Sequence, residues 1–223
     1  SALAWRLRLW LLCLPAGTGS ATARAILKLW LGWPAARSGV RSAGNGPAMR
    51  APVLGLLEGE DPQRLRQYVA ASTRITHTDP RALEGALMVA TAVSIGAHHG
   101  QDCARVRDAV VDCVKDTELR SRVEIAVTLA ADRADADGLV AAMGFERGVS
   151  GFVNNTVPAA IYCWLRYPGD FRAAVTTAVR LGGDTDTVGA ITGALAGGTV
   201  GESGIPQGWI DGICDWPRSV GIL

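Results

Sequence analysis

Twice in this chain an aspartate is followed directly by a proline and then by apolar residues at helical spacing. The pairs are Asp61-Pro62 in EDPQRLRQYVAASTRI and Asp79-Pro80 in HTDPRALEGALMVATAVSIGAHH. An aspartate side chain satisfies free N–H groups at a helix start, and proline's fixed φ suits the first helical position, where no N–H is needed. Each pair therefore predicts a helix beginning. In the second, Leu83, Leu87 and Ala90 share one face, with Val93 close to it, as an amphipathic or buried helix requires. The same reading predicts helices over 20–31, 47–57, 102–114, 118–130, 157–167, 170–181 and 187–197. Strictly alternating β-branched runs are almost absent, so the expected fold is all-α, a single compact multi-helix domain over residues 1–223. Gly189, Gly193 and Gly197 lie four apart on the last long helix, which predicts a close backbone neighbour and a central position for that helix.

A hydrophobic fraction of 48% over 223 residues is enough to build a substantial core. The net charge of +1 gives no bulk attraction to nucleic acid or to a membrane, and neither is expected as a partner. The cysteines Cys13, Cys103, Cys113, Cys163 and Cys214 are odd in number and form no CxxC pair. That usage fits reduced thiols and a cytoplasmic location, with no structural zinc. The opening SALAWRLRLWLLCLPAGTGSATA has the outline of a secretory signal, with an Ala-x-Ala ending at Ala23. Arg6 and Arg8 interrupt its apolar run, which is too short to span a bilayer and flows into the amphipathic ARAILKLWLGWP.

The stretch RLGGDTDTVGAITGALAGG, residues 180 to 198, sets two aspartates and two threonines between a glycine pair and small apolar residues. Burying an unpaired carboxylate costs several kcal/mol, so Asp184 and Asp186 need something to neutralise them. In an extended turn the two carboxylates can point the same way, and Thr187 adds a hydroxyl. Three hard oxygen donors suit Mg²⁺, Mn²⁺ or Ca²⁺ rather than zinc or copper. Helix capping with an Asx-turn is the competing account, although one capping residue is enough for a helix. The string DTDTV also matches the D-x-D-x-[TV] signature of haloacid-dehalogenase-type phosphotransferases. That signature belongs at the end of a β-strand, whereas the preceding FRAAVTTAVRLGG reads as helix.

A second constellation lies in RSGVRSAGNGPAMRAPVLGLL, where Gly44-Asn45-Gly46 directly precedes a proline-started helix. Such a loop is a natural seat for phosphate, with Arg50 one turn in to add charge, and is equally a common turn. His77 precedes the Asp79 cap; His98 and His99 read as a solvated helix end.

In order and spacing SAGNGPAMR, ITHTDPRA and LGGDTDTVGAITGALAGG, with the intervening NNTVPAAIYCWLRYPGDFRAAVTTAVRLGG, resemble the ADP-ribosylglycohydrolase family over most of the chain. The resemblance implies an all-α fold with a binuclear Mg²⁺ or Mn²⁺ centre that hydrolyses the N- or O-glycosidic bond of an ADP-ribosylated protein or small molecule and releases ADP-ribose. It implies metal ligation by Asp184, Asp186 and Thr187, and substrate binding by Gly44, Asn45, Gly46, Met49, Arg50 and His77. The family's N-terminal G-D-x-x-G and D-D-T segments have no counterpart, because residues 1 to 43 contain no aspartate or glutamate. The expectation is therefore an N-terminally incomplete domain that self-associates through uncovered apolar faces, its catalytic acids unassigned. A catalytically inactive ADP-ribose-binding module and a phosphatase with Asp184 as nucleophile are the alternatives.

Overall fold

The computed structural model describes residues 2–13, 15 and 17–213; Cys214 lies outside them. The helices are α1 (Ala2–Leu12), α2 (Ser20–Trp30), α3 (Gly46–Glu58), α4 (Pro62–Arg74), α5 (Pro80–His99) and α6 (Cys103–Cys113). They continue as α7 (Thr117–Ala131), α8 (Ala136–Met143), α9 (Val153–Arg166), α10 (Phe171–Arg180), α11 (Thr185–Val200) and α12 (Gln207–Asp211), with a 3₁₀ turn over Glu202–Gly204. No β-strand occurs among the described residues, and Asp184 starts a helix, so the phosphatase reading loses the strand its motif needs. No described helix is long and apolar enough to cross a membrane.

Aspartates cap the two helix starts that the Asp-Pro pairs predict, α4 and α5, and four more. Asp61, Asp79, Asp102, Asp116, Asp135 and Asp170 each accept a backbone N–H at the start of α4, α5, α6, α7, α8 and α10. Each such cap is worth about 1 kcal/mol. The caps at Asp102, Asp116, Asp135 and Asp170 and the short α8 escape the sequence reading. Helix α9 begins at Val153 rather than 157, because the Val153 N–H is taken by the Ala43 carbonyl at 2.9 Å, leaving Pro158 inside the helix.

The core is built on α5, α9 and α11. Helix α9 is buried from Val153 to Leu165 apart from Asn155. Its large side chains satisfy their polar atoms: the Tyr162 hydroxyl donates to the Ala134 carbonyl at 2.7 Å and the Trp164 indole to Thr199 Oγ1 at 3.0 Å. A buried aromatic with its polar handle paired keeps its full apolar contribution, on the order of 2–3 kcal/mol. Helix α11 is central as expected, packing on α3, α5, α9 and α10. Its glycine row is not the cause. A Cβ at Gly189, Gly193 or Gly197 would meet only side chains, such as Val179, Val175 and Phe171, at 3.6 Å or more. The close backbone approach is between α3 and α5, where a Cβ on Gly55 would collide with the Ala90 carbonyl.

Three isolated β-bridges tie the interhelical loops together: Val40 with His77, Gly44 with Phe152, and Val149 with Gly183. They bring the glycine loop, the His77 segment and the aspartate turn to one end of the bundle. Along α1, α2 and the residues after α2, Trp5, Leu9, Trp30, Leu31 and Trp33 are exposed, Leu31 by 80%.

Candidate active site

Gly44, Asn45, Gly46, Met49, Arg50, His77, Asp184, Asp186 and Thr187 line one cleft of about 640 Å³. They come from segments more than a hundred residues apart, so the sequence motifs share one place in space. Sequence reasoning missed Gly151 and a further wall supplied by Leu7, Trp10 and residues 17–22. Gly151 lies three residues before the stretch that carries the family resemblance and has no side chain to mark it. The wall has no motif at all: two apolar side chains of α1, then only small and hydroxylated residues over 17–22. His98 and His99 are exposed at the end of α5, where His98 faces Glu60 at 3.7 Å.

The aspartate turn is positioned by its backbone. The Asp184 N–H donates to the Val149 carbonyl at 2.7 Å, and Val149 donates in turn to Gly182 at 3.0 Å. Gly183 has φ of +76°, and a Cβ there would run into the Val149 backbone, so only glycine fits this approach. Asp184 occupies the cap position of α11, yet its side chain caps nothing. Its Oδ2 instead accepts from Asn45 Nδ2 at 2.6 Å, and Asn45 Nδ2 also donates to Thr156 Oγ1 at 2.9 Å. The capping account of the two aspartates therefore fails for Asp184. Hydrogen bonding with Asp184, then with the Thr187 N–H, holds the Asp186 carboxyl below its usual range against the opposing effect of burial. Asp184 is half-buried and Asp186 is exposed at this turn, so a hard cation arriving from solvent can reach both carboxylates.

The opposite side of the cleft is cationic. Arg50 lies in α3 with its guanidinium desolvated, and burial lowers its pKa to about 10. Its partners are all neutral oxygens: Ser72 Oγ at 2.9 Å, the Ser72 carbonyl at 2.8 Å, Thr76 Oγ1 at 2.6 Å and the Gly46 carbonyl at 3.0 Å. No carboxylate pairs with it among the described residues. His77 is buried, and desolvation, followed by the Arg50 charge, lowers its pKa to about 4. The imidazole is thus neutral at physiological pH.

Helix ends add to this field. The starts of α2, α3 and α11 all border the cleft, and none carries a side-chain cap. The six aspartate-capped helices begin elsewhere, apart from the nearby α5. The N–H groups at the starts of α2 and α3 carry partial positive charge and favour an anion, whereas at α11 the Thr185 N–H goes to the Gly183 carbonyl and the Thr187 N–H to the Asp186 carboxylate. The cleft therefore offers hard oxygen donors at the aspartate turn and an anion seat along the glycine loop.

Among the described residues no group of three or more His, Cys, Asp or Glu side chains is placed to hold a metal. The donors present are two carboxylates and the Thr187 hydroxyl. All are hard oxygens, a set that fits one Mg²⁺-like ion, which commonly takes one or two carboxylates and completes its shell with water. A second ion finds no second carboxylate set among the described residues.

Comparison with known proteins follows the same lines. The family described as ADP-ribosylglycohydrolase matches residues 1–221. The chain is 27% identical over 201 residues to ADP-ribosylhydrolase ARH3 of Bos taurus, covering 77% of this chain and 54% of that protein. It is 26% identical over 205 residues to the ADP-ribosyl-[dinitrogen reductase] glycohydrolase of Rhodospirillum rubrum, covering 91% and 62%. A solved structure described as an ADP-ribosylglycohydrolase-related protein complex superimposes with a TM-score of 0.72 at 28% identity, over 95% of this chain and 67% of the other. The chain thus spans between 54% and 62% of the length of these two curated relatives.

Proposed function

We propose that this chain, which belongs to the ADP-ribosylglycohydrolase family, receives ADP-ribose in its cleft and takes part in metal-dependent hydrolysis of the N- or O-glycosidic bond that joins it to a protein or small molecule. The observation that carries this reading is the pairing within one cleft of a carboxylate turn with an anion seat. ADP-ribose asks for both, since it joins a diphosphate to a ribose whose hydroxyls and C1 must be fixed.

In this reading the loop Gly44-Asn45-Gly46 and the start of α3 hold the diphosphate, while Arg50 and His77 back it with charge and an N–H. Met49, 49% exposed at the rim, supplies apolar contact. Asp184, Asp186 and Thr187 hold one Mg²⁺ or Mn²⁺. A divalent ion so placed would orient the ribose hydroxyls and lower the pKa of a water. Asn45 keeps the Asp184 carboxylate in place, and the carboxylate turn favours the positive charge that builds on the sugar ring in an oxocarbenium-like transition state. The fixed geometry of the loops contributes by orientation.

One observation favours the second reading, a module that binds ADP-ribose without turnover: among the described residues only two carboxylates, Asp184 and Asp186, line the cleft. Calorimetric titration of Mg²⁺ and Mn²⁺ with ADP-ribose present, set beside the double variant Asp184→Ala plus Asp186→Ala, tests the site. Cation binding that disappears in the double variant, together with release of ADP-ribose from a modified peptide, supports the hydrolase. ADP-ribose binding without release supports the module. Absence of both cation and ADP-ribose binding rejects the two readings together.

A further inference from the structure

The hydrogen bonds behind the anion seat run in one direction. Arg50 is a donor only, and its Nη2 gives a proton to Thr76 Oγ1 at 2.6 Å. Thr76 is fully buried and has a single hydroxyl proton to pass on. Two acceptors are in range: His77 Nδ1 at 2.8 Å and the Thr73 carbonyl at 3.5 Å, the limit of a hydrogen bond. If His77 Nδ1 carried a proton, Thr76 Oγ1 would receive two donors and could place its own proton only on the distant carbonyl. If Nδ1 is bare, both short bonds are satisfied in sequence. Donation from a guanidinium also polarises the hydroxyl, making it a better donor and a poorer acceptor. The second arrangement therefore wins. A neutral imidazole with a bare Nδ1 carries its proton on Nε2.

The Nε2 edge is the one that meets the glycine loop. A Cβ built on Gly44 would stand 3.1 Å from His77 Nε2, and one on Gly46 3.3 Å from His77 Cε1. Both glycines and His77 line the cleft.

We propose that Arg50, acting through the Thr76 hydroxyl, locks His77 in its Nε2–H tautomer, so that the glycine loop presents an N–H donor to a phosphate oxygen instead of a repelling lone pair. Thr76 is a positioning residue, and Arg50 supplies positive charge from behind the imidazole without the imidazole ionising. The ligand part of this inference rests on the reading that the loop receives the diphosphate of ADP-ribose; the tautomer does not.

The test is long-range ¹H–¹⁵N correlation on the labelled chain, which has only three histidines, His77, His98 and His99. Wild-type His77 is expected to show a protonated Nε2 and a bare Nδ1 at neutral pH. Thr76→Val should yield a mixture or the opposite tautomer, and Thr76→Ser should restore the wild-type pattern. ADP-ribose affinity, read by calorimetry, should fall about tenfold in Thr76→Val and recover in Thr76→Ser. A purely structural role for Thr76 would alter stability without moving the tautomer. Wild-type His77 protonated on Nδ1 overturns the inference whatever ADP-ribose does, even if Thr76→Val cannot be folded. The expected tautomer in a chain that fails to bind ADP-ribose upholds the relay and rejects the assigned ligand.

Discussion

Replacing Asn45 by alanine isolates the contact that joins the glycine loop to the aspartate turn. The Asn45 amide makes two hydrogen bonds through Nδ2, to Asp184 Oδ2 at 2.6 Å and to Thr156 Oγ1 at 2.9 Å. A bond to a charged acceptor contributes about 1.5–3 kcal/mol and a neutral one about 1 kcal/mol; partial exposure favours the low end of each. Asn45→Ala should therefore destabilise the chain by about 2–3 kcal/mol, a Tm decrease of roughly 5–10 °C for a chain of this size. In an Asp184→Ala background only the Thr156 bond remains to be lost, so the same change should cost about 1 kcal/mol. The expected coupling is about 1.5 kcal/mol, measured by urea denaturation of the four proteins in the presence of a chelator. Additivity within about 0.5 kcal/mol would refute the claim that Asn45 holds Asp184.

Further outcomes follow from other parts of the molecule. His77 has its pKa lowered from 6.5 to about 4, so the unfolded chain binds a proton that the folded chain refuses between those values. Stability should be full above pH 6.5 and fall by about 3 kcal/mol as pH drops toward 4, and His77→Gln should flatten this slope in pH-dependent denaturation. Asp79 is shifted below its usual range chiefly by its hydrogen bond with the Arg81 side chain, so its contribution is present above the ordinary carboxylate value and is lost as pH falls below it. Asp79→Asn should therefore narrow the stability gap between pH 5 and pH 3, read in the same experiment. Gly183→Ala forces a Cβ into the Val149 backbone at positive φ and should cost more than about 2 kcal/mol, with loss of any cation binding. The exposed face of α1 and α2 should drive concentration-dependent association in sedimentation velocity, reduced in Trp30→Glu plus Leu31→Glu.

The sequence made α4 and α5 legible because their starts carry chemistry, while the Asp135 cap of α8, with no proline after it, went unread. Asp61-Pro62 and Asp79-Pro80 are capping devices that act locally, so their meaning does not depend on the rest of the fold. Helix α9 shows the opposite case, because its start is set by a bond from Val153 to Ala43, more than a hundred residues away, and no local signal announces it. The glycine row of α11 misled for a related reason: spacing shows that a backbone could approach, while neighbouring side chains decide whether one does. Among cleft residues, those with distinctive chemistry were found and those acting through shape were not. Gly151 and the 17–22 wall contribute surface and backbone, which leave little trace in a single sequence. The tautomer relay was invisible because Thr76 becomes informative only once Arg50 is seen behind it.

The three β-bridges also bear on how the cleft meets a ligand. Each joins two loops of the same end of the bundle, through pairs such as Asn45 N–H with the Gly151 carbonyl at 3.2 Å and Thr78 N–H with the Val40 carbonyl at 3.0 Å. One loop cannot swing aside without breaking bonds in its neighbour, so opening of this rim is a cooperative event. An incoming molecule therefore has few loop conformers to freeze, and little of its contact energy is spent on ordering the protein. Selectivity then resides in the shape already present: a molecule that does not fit the rim is refused at the entrance instead of being accommodated by it.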